Sequence, residues 1–320
     1  MQVRKAIITA AGRGTRDYPA LTAVQQAMLP MIDRDGLVKP VIQIIAEEAL
    51  DSGIEEICVI VAPGDEAVYR SHFAGLEHNL QKYGDADWTA DQHRRLRDLE
   101  RRLTFAVQDE PVGYGHAVWC GRQFAGSEPF LLLVSDHLYV SGEQRRCARQ
   151  VIDLAGQHDC PVAAVQATRE HLIQQYGTVA GKRAANLSGV FQIEHILEKP
   201  TPSVAEQSLQ VPGLRVGHYL CFFGMHVLTP SIFAILDRHI HETFAGDRDV
   251  QLTPALEELA RTEKYLALQT NGRRYNIGVK YGSLEAQVAL AMAGRDRDEV
   301  LMRLMEMFLQ SGIKSEAGNE

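Results

Sequence analysis

Short, continuous apolar runs alternate with longer amphipathic stretches through the first two thirds of this chain. Continuous apolar runs are typical of strands buried on both faces of a parallel sheet, and the stretches between them have helical spacing. This alternation predicts a doubly wound, mostly parallel α/β sheet whose ligands bind at the carboxyl ends of the strands. The predicted strands are Lys5–Thr9, Glu56–Val61, Leu103–Val107, Phe130–Val134 and Val162–Thr168, and the predicted helices are Val41–Ser52 and His116–Arg122.

A polar segment, residues 69–102, interrupts the alternation before the third of these strands. Its last part, residues 93–102, is rich in arginine, but Leu96 and Leu99 recur among the charges at helical spacing. A basic stretch with that periodicity is more often an amphipathic helix with a solvated face than an anion site. We therefore expect a helical insertion at this point.

The last third of the chain changes from short strands to helices. We expect strands at Val190–Leu197, Tyr219–Phe223 and Tyr265–Gln269, and helices at Pro230–Arg238 and Leu252–Glu263, with Thr253 as the cap of the second helix.

The tail from Ser283 to Gln310 has a helical pattern with one apolar stripe. Such a stripe packs either on the core of its own chain or on another subunit. We expect one domain over residues 1–282, a helical extension over 283–314, a disordered end over 315–320 and a homo-oligomer. The stripe consists of Val300, Leu301, Leu304, Met305 and Phe308.

Composition narrows the class of function. The 320 residues carry a net charge of −8, which argues against a nucleic-acid surface. The five cysteines are scattered and form no Cys-x-x-Cys pair, so we expect neither a zinc site nor a disulfide framework. No apolar run approaches the ~18 residues of a membrane span, and the chain opens on a strand instead of a signal peptide. These features predict a cytoplasmic protein that binds neither nucleic acid nor membranes.

The first predicted strand runs directly into a glycine-containing turn. Small residues and glycines at that place let backbone N–H groups approach an anion closely, and an arginine adds a fixed charge. A Gly-x-Gly without the rest of a P-loop or dinucleotide fingerprint also occurs in ordinary strand-to-helix turns. We favour a phosphate cradle, formed by Ala10, Ala11, Gly12, Arg13, Gly14, Thr15 and Arg16.

Taken together, the motifs along residues 3–295 resemble those of bacterial UTP–glucose-1-phosphate uridylyltransferases, within the sugar-nucleotide nucleotidyltransferases. The resemblance implies a nucleotide-diphospho-sugar transferase-like, Rossmann-like fold, and the insertion lies where this branch carries one. Besides the turn, the motifs are Met28-Leu29-Pro30, Gln108 through Gly113-Tyr114-Gly115-His116-Ala117, Asp136, Tyr176-Gly177, Glu198-Lys199-Pro200, Gln251-Leu252-Thr253 and Arg274-Tyr275 through Gly278.

The resemblance also implies a reaction, in which a sugar 1-phosphate attacks the α-phosphorus of UTP and pyrophosphate leaves. The protein then has to align two polyanions and neutralise developing charge, with Mg²⁺ as the expected cofactor. By resemblance, residues 10–16 hold the triphosphate and Arg16 meets the leaving pyrophosphate. Gln108 matches the imide edge of uracil with one donor and one acceptor, and Gly113 permits close approach of the base.

Further roles follow from the same resemblance. Asp136, at the carboxyl end of a buried strand, is the expected Mg²⁺ ligand. Glu198 would accept hydrogen bonds from glucose hydroxyls, and Lys199 would meet the sugar-linked phosphate. Gly177 would let the backbone approach the sugar. Each of these residues also has an ordinary interpretation as an exposed or turn-forming residue at a strand end.

Two positions depart from the family pattern where charge matters. Gln26 stands where relatives carry a lysine that meets the triphosphate, and Asn276 stands where they carry a second metal-binding aspartate. Loss of one preorganised electrostatic contact typically costs ~10²–10³ in rate. The sequence therefore leaves two functions open, an active uridylyltransferase or a family member that binds nucleotide sugar as a regulatory subunit. A third alternative is another base or sugar, such as thymidylyl transfer.

Overall fold

The computed structural model describes residues 1–12, 24–80, 87–244 and 249–316. Its strands are β1 Lys5–Thr9, β2 Pro30–Ile32, β3 Val38–Pro40, β4 Glu56–Val61, β5 Leu103–Val107, β6 Phe130–Val134, β7 His137–Ser141, β8 Val162–Arg169, β9 Gly177–Arg183, β10 Val190–Glu198, β11 His218–Leu228, β12 Leu266–Gln269 and β13 Gly272–Asn276. Its α-helices are α1 Val41–Leu50, α2 Glu66–Leu80, α3 Asp87–Arg102, α4 Tyr114–Cys120, α5 Arg122–Ala125, α6 Cys147–His158, α7 Pro202–Ser208, α8 Ser231–Phe244, α9 Leu252–Thr262, α10 Gly282–Met292 and α11 Arg297–Glu316.

In the described part of the chain, nine strands form one central sheet in the order β5-β4-β1-β6-β11-β8-β12-β10-β9. The half made of β5, β4, β1 and β6 is parallel, as the continuous apolar runs predict. The other half is mixed, because β11 runs antiparallel to both β6 and β8 and β10 runs antiparallel to β12 and β9. The predicted α/β fold class is confirmed. Besides the parallel half, β12 also runs parallel to β8, so the second part of the sheet contains both parallel and antiparallel pairs.

Helices cover both faces of the sheet, so the core has two halves. Along β1, Ala6 and Ile8 face a cluster with α1 and α6, whereas Ile7 faces a cluster with α4, α8 and α9. Side chains alternate between the two faces of every strand, and in a doubly covered sheet both sets are apolar. This is why the apolar runs in the sequence are continuous and do not alternate with polar residues.

The structure corrects two local expectations. Strand β11 does not end at Phe223 but continues through Gly224, which adopts φ +80° at a bulge. Glycine tolerates that conformation without strain, so the residue that suggested a strand end instead bends a longer strand. The N-cap position of helix α9 is Gln251, without a capping side-chain bond, and the hydroxyl of Thr253 instead donates to the carboxylate of Glu198.

The insertion consists of α2 and α3, and residues 81–86 between them lie outside the described part. In α3, Leu96 and Leu99 are buried while the arginines around them are exposed, as the amphipathic pattern predicts. At the other end of the chain, α10 packs on β13, and α11 runs to Glu316. None of the helices in the described ranges is long and apolar enough to cross a membrane.

Candidate active site

A cavity of about 560 Å³ opens at the carboxyl ends of the parallel strands. Parallel register places these ends together, since Thr9 lies beside Val134 and the N–H of Gln108 bonds to the carbonyl of Val61. Strand ends from the antiparallel half close the other side. The predicted site residues that line this cavity are Ala11, Gly12, Gln26, Gln108, Gly113, Asp136, Gly177, Glu198, Lys199 and Asn276.

The described part of the glycine-containing turn lies at one wall of the cavity. Ala10 is buried behind the wall, and its N–H bonds to the carbonyl of Ile60 at 2.8 Å. A Cβ on Gly12 would meet no atom of the described residues within 4 Å. The rest of the predicted cradle, Arg13, Gly14, Thr15 and Arg16, lies outside the described residues.

Gln108 is buried, and its amide nitrogen is already engaged by the protein. Its Nε2 donates to the carbonyl oxygen of Gly113 at 3.0 Å and lies 3.2 Å from Nδ1 of His116. The amide nitrogen carries two hydrogens, and both are used by these acceptors. In this arrangement the carbonyl oxygen of Gln108 is the group left for a ligand, and the expectation that Gln108 offers both a donor and an acceptor to a base stays a prediction.

Gly113 is required by the protein's own packing. It has φ +112°, and a Cβ there would lie 2.5 Å from the carbonyl oxygen of Val250. Gly115 is similarly tight against Gln251. The two glycines allow the segment 113–115 to pack closely against Val250 and Gln251, in addition to any approach of a ligand.

Asp136 lies in the turn between β6 and β7, and its side chain is 30% exposed toward the cavity. His137 contacts it, with Nδ1 2.7 Å from Oδ1 of Asp136. The Nε2 atom of His137 is buried without a hydrogen-bond partner among the described residues. The carboxylate of Asp136 is thus exposed at the cavity, whereas the unsatisfied ring nitrogen of His137 is buried.

Glu198 is oriented by two other segments. It pairs with Gly177 across β10 and β9, and a Cβ on Gly177 would lie 3.2 Å from Oε2 of Glu198. The hydroxyl of Thr253 donates to the same oxygen at 2.6 Å. Because Gly177 has no side chain, the carboxylate of Glu198 fits beside it, and the bond from Thr253 fixes the direction of that carboxylate.

Lys199 follows in a backbone conformation that is rare for a residue with a side chain. Its φ is +45°, a region that costs a non-glycine residue about 1 kcal/mol or more. Its N–H bonds to the carbonyl of Tyr176 at 3.2 Å, and its ammonium lies 3.4 Å from Glu198. Tyr176 is backed by the guanidinium of Arg274, 3.8 Å from the ring centre. This turn holds a half-exposed cation at the edge of the cavity.

The two departures from the family pattern are neighbours in space. Gln26 and Asn276 are both buried, and both line the cavity. Nε2 of Gln26 and Oδ1 of Asn276 lie 2.9 and 3.3 Å from the point that a Cβ on Gly278 would occupy. Oδ1 of Asn276 accepts the N–H of Gly278 at 2.9 Å, whereas Nε2 of Gln26 has no partner among the described residues. This corner offers neutral amide groups to a ligand.

A separate acidic cluster, Asp33, Asp35 and Glu47, has its oxygens within 4.8 Å of one another. The ammonium of Lys39 lies among them, at 2.8, 2.6 and 2.8 Å. Burial opposes the charge of Lys39, but Glu47 and Asp33 outweigh it and raise the pKa of the ammonium. The cluster is therefore filled by a lysine, and it does not fit a metal ion.

Sequence reasoning missed His116 and the role of Thr253, both of which act on predicted site residues. Both residues belong to motifs named above, but a motif in the sequence does not show which of its atoms contacts which residue elsewhere in the chain. The contact between His137 and Asp136 could have been predicted, because the two residues are adjacent in the sequence.

The profile of the Nucleotidyl transferase family matches residues 5–272. The chain belongs to this family. A nucleotidyl transferase of Bacillus subtilis strain 168, the UTP–glucose-1-phosphate uridylyltransferase YngB, is 34% identical over 98% of this chain and 97% of its own length.

Solved structures agree with the family assignment. A UDP-glucose pyrophosphorylase complexed with UDP-glucose has a TM-score of 0.70 and 26% identity, over 90% of this chain and 98% of its own. A UDP-glucose pyrophosphorylase from Acinetobacter baumannii has a TM-score of 0.78 at 24% identity, over 96% and 100% of the two chains, which shows the shared fold. This chain is thus a nucleotidyl transferase over nearly its whole length.

Proposed function

We propose that this nucleotidyl transferase transfers a uridylyl group from UTP to glucose 1-phosphate, forming UDP-glucose and pyrophosphate. The observation that carries the proposal is one cavity that holds an acceptor for a base, an oriented carboxylate and a cation, from Gln108, Glu198 and Lys199. The similarity to uridylyltransferases along the whole chain supports the choice of UTP and glucose 1-phosphate as substrates.

The reaction needs positioning and charge compensation more than covalent chemistry. Gln108 binds the base, and the backbone at Ala11 and Gly12 approaches the phosphates. Glu198 accepts hydrogen bonds from sugar hydroxyls, while Lys199 holds the phosphate of the sugar next to the α-phosphorus. The attacking phosphate oxygen is already ionised, so no general base is required.

Asp136 fits the expected Mg²⁺, because Mg²⁺ takes one or two carboxylates and completes its shell with substrate phosphates and water. Its Oδ1 is bonded to His137, and the carboxylate faces the cavity at a strand end. Oδ1 of Asn276 already accepts a backbone N–H, so we assign the cation to Asp136. When bound, the ion supplies electrostatic stabilisation of the phosphates.

A second candidate function is binding of nucleotide sugar without appreciable turnover. The observation that favours it is the neutral corner formed by Gln26 and Asn276. Under this alternative the same contacts to base and sugar are made, and only the rate differs. Binding and turnover therefore have to be measured separately.

The sugar contact is tested by calorimetric titration with UDP-glucose. Glu198→Gln removes a charged hydrogen-bond acceptor, worth about 1.5–3 kcal/mol, and we expect UDP-glucose affinity to fall roughly 10- to 100-fold. Glu194→Gln is the matched control, because Glu194 lies on the same strand, exposed and paired with Lys182 at 2.6 Å. Equal affinities for the two variants, or no binding by the wild type, would contradict the proposal.

A further inference from the structure

Arg274 is a buried cation that has no carboxylate partner among the described residues. It lies in β13 and is 7% exposed. Its Nη2 donates to the hydroxyl of Thr168 at 3.4 Å, whereas its Nε and Nη1 are buried without a hydrogen-bond partner in the described part of the chain. Because a guanidinium carries five N–H donors, most of the hydrogen-bonding capacity of this side chain is unused.

The groups around Arg274 do not neutralise its charge. The titratable groups that interact with it are two phenols and a thiol, those of Tyr176, Tyr139 and Cys221. Burial raises the pKa of Tyr139 and of Cys221, so both are uncharged near neutral pH. Burial also lowers the pKa of Arg274, but a guanidinium stays protonated in proteins. The described interior thus holds an uncompensated positive charge, and such a charge costs stability.

One aromatic ring separates this charge from the cavity. The guanidinium carbon of Arg274 lies 3.8 Å from the ring centre of Tyr176, and Tyr176 is among the described residues that line the cavity whereas Arg274 is not. The carbonyl oxygen of Tyr176 accepts the N–H of Lys199, and the next residue, Gly177, pairs with Glu198. The charge therefore lies behind the part of the cavity that the proposed function gives to the sugar and its phosphate.

The cavity lining itself offers little positive charge to a polyanion. Among the described lining residues, Asp136 and Glu198 are carboxylates and Lys199 carries an ammonium. The ammonium lies 3.4 Å from Glu198, which offsets part of its charge. A ligand with several phosphate charges therefore gains from a further cation nearby, and in a low-dielectric interior a charge still acts across the thickness of one ring.

We propose that Arg274 attracts the phosphates of the ligand through the ring of Tyr176, as a fixed positive charge built into the wall of the cavity. The inference rests on the proposed function, because it takes a nucleotide or nucleotide sugar to fill the cavity. Arg274 touches no ligand in this scheme, so it is a positioning residue. Its charge costs stability in the empty protein and stabilises the complex with an anion.

Removal of the charge should weaken the binding of phosphates and leave the empty protein at least as stable. In Arg274→Met, which has a side chain of similar length, we expect the affinity for UDP-glucose to fall about tenfold. Uridine has the same base and ribose but no phosphate, so its affinity should stay within about twofold of the wild-type value. The unfolding temperature without ligand should be unchanged or higher, because an unpaired buried charge is lost.

Two further substitutions of arginine separate the charge from other effects. Arg274→Lys keeps a cation at the same place and should retain the affinity for UDP-glucose to within about threefold. Arg273→Met is the matched control, because Arg273 is the preceding residue of the same strand and is exposed. It should leave the affinity for UDP-glucose unchanged, since water screens its charge.

Thr168 allows the charge to be compensated without being removed. In Thr168→Asp a carboxylate replaces the hydroxyl that lies 3.4 Å from Nη2 of Arg274, and the two groups form an ion pair. The affinity for UDP-glucose should then fall about as far as in Arg274→Met. Thr168→Asn introduces a neutral group of the same size as aspartate and should retain the affinity to within about twofold. This pair of variants keeps the test decisive if Arg274→Met does not fold.

The experiment is a calorimetric titration of each protein with UDP-glucose and with uridine, beside thermal unfolding without ligand. The role of Arg274 is overturned, while the proposed function stands, if the wild type binds UDP-glucose and neither Arg274→Met nor Thr168→Asp weakens that binding. It is overturned as well if Arg273→Met weakens the binding equally, if uridine loses as much affinity as UDP-glucose, or if Arg274→Met unfolds at a lower temperature. If the wild type does not bind UDP-glucose, the proposed function itself fails, and the role of Arg274 fails with it.

Discussion

Side chains that contact one another at this site come from distant parts of the chain. Thr253 bonds to Glu198 across 55 residues, and that contact replaces the helix cap that local sequence suggested for Thr253. The sequence motifs predicted Gln108 and Glu198 as ligand groups, and both residues line the cavity. Their partners could not be predicted, because a hydrogen bond between remote residues leaves no periodic or local signal.

Lys39 illustrates how a single residue can decide the nature of a site. Replacing it by methionine, of similar size, removes the nearest cation from the buried carboxylates of Asp33 and Glu47 and leaves them only the guanidinium groups of Arg34 and Arg95, at 3.9 Å each. Breaking a buried ion pair in this way costs about 3–5 kcal/mol, so we expect a large fall in thermal stability. The measurement is thermal unfolding with and without Ca²⁺.

In Lys39→Met the ammonium no longer occupies the space between the three carboxylates, and Ca²⁺ bound there should restore part of the lost stability. Wild type serves as the control, since its cluster already holds the ammonium. An equal response of both proteins to Ca²⁺, or unchanged unfolding of the variant, would show that Lys39 does not fill this cluster.

At the scale of elements, buried strands were predicted best. β1, β4, β5 and β6 match their predicted bounds residue for residue, because continuous apolar runs flanked by polar residues define them. The short strands β2, β3, β7 and β13 were not predicted. β2 and β3 have three residues each and pair with each other across a short loop, and they are too short to show a periodic pattern. β7 pairs with β13, which lies far along the chain, so this pairing depends on a tertiary contact and not on periodicity.

Helix α6 depends on a residue of another helix. Its first turn has no capping side chain of its own, and the N–H of Ala148 bonds instead to Oε1 of Glu48 in α1 at 3.0 Å. Burial raises the pKa of Glu48 to about 7, although this bond and Arg34 oppose the shift. Folding therefore favours the protonated carboxyl.

The sign of the resulting pH dependence follows from the raised pKa. Protonated Glu48 contributes to stability below its ordinary pKa of 4.5, and this contribution is lost as pH rises through about 7. The full span corresponds to roughly 3 kcal/mol. Glu48→Gln keeps an acceptor for the N–H of Ala148 but has no ionisable group at this position. As the pH rises from 5 to 8, the wild type should therefore lose unfolding temperature relative to Glu48→Gln. A constant difference between the two proteins over this range would refute the assignment.

For the whole molecule, the sheet brings together strand ends that are far apart in sequence. The sequence predicted this convergence for the parallel half, where the carboxyl ends meet at one edge by necessity. The convergence in the mixed half was harder to predict from the sequence. There the antiparallel pairing of β10 with β9 places Glu198 beside Gly177. The division into a domain over 1–282 and an extension over 283–314 remains a prediction, as does the cytoplasmic location.

A homo-oligomer also remains a prediction at this scale. The middle turns of α11 expose several large apolar side chains, including two from the predicted stripe, Met305 and Phe308. Exposed apolar clusters of this kind often mark contacts between protein chains. The occupant that we expect is a second copy of this chain.

Pyrophosphate release in the presence of UTP, glucose 1-phosphate and Mg²⁺ tests the central proposal most directly. We predict release that requires both substrates, at ~1 s⁻¹ or more for the wild type. The double variant Gln26→Lys/Asn276→Asp restores the two charges next to Gly278 and serves as the comparison. No release by a wild type that binds UDP-glucose, together with release by the double variant, would contradict the proposal and identify a binding protein that has lost its chemistry.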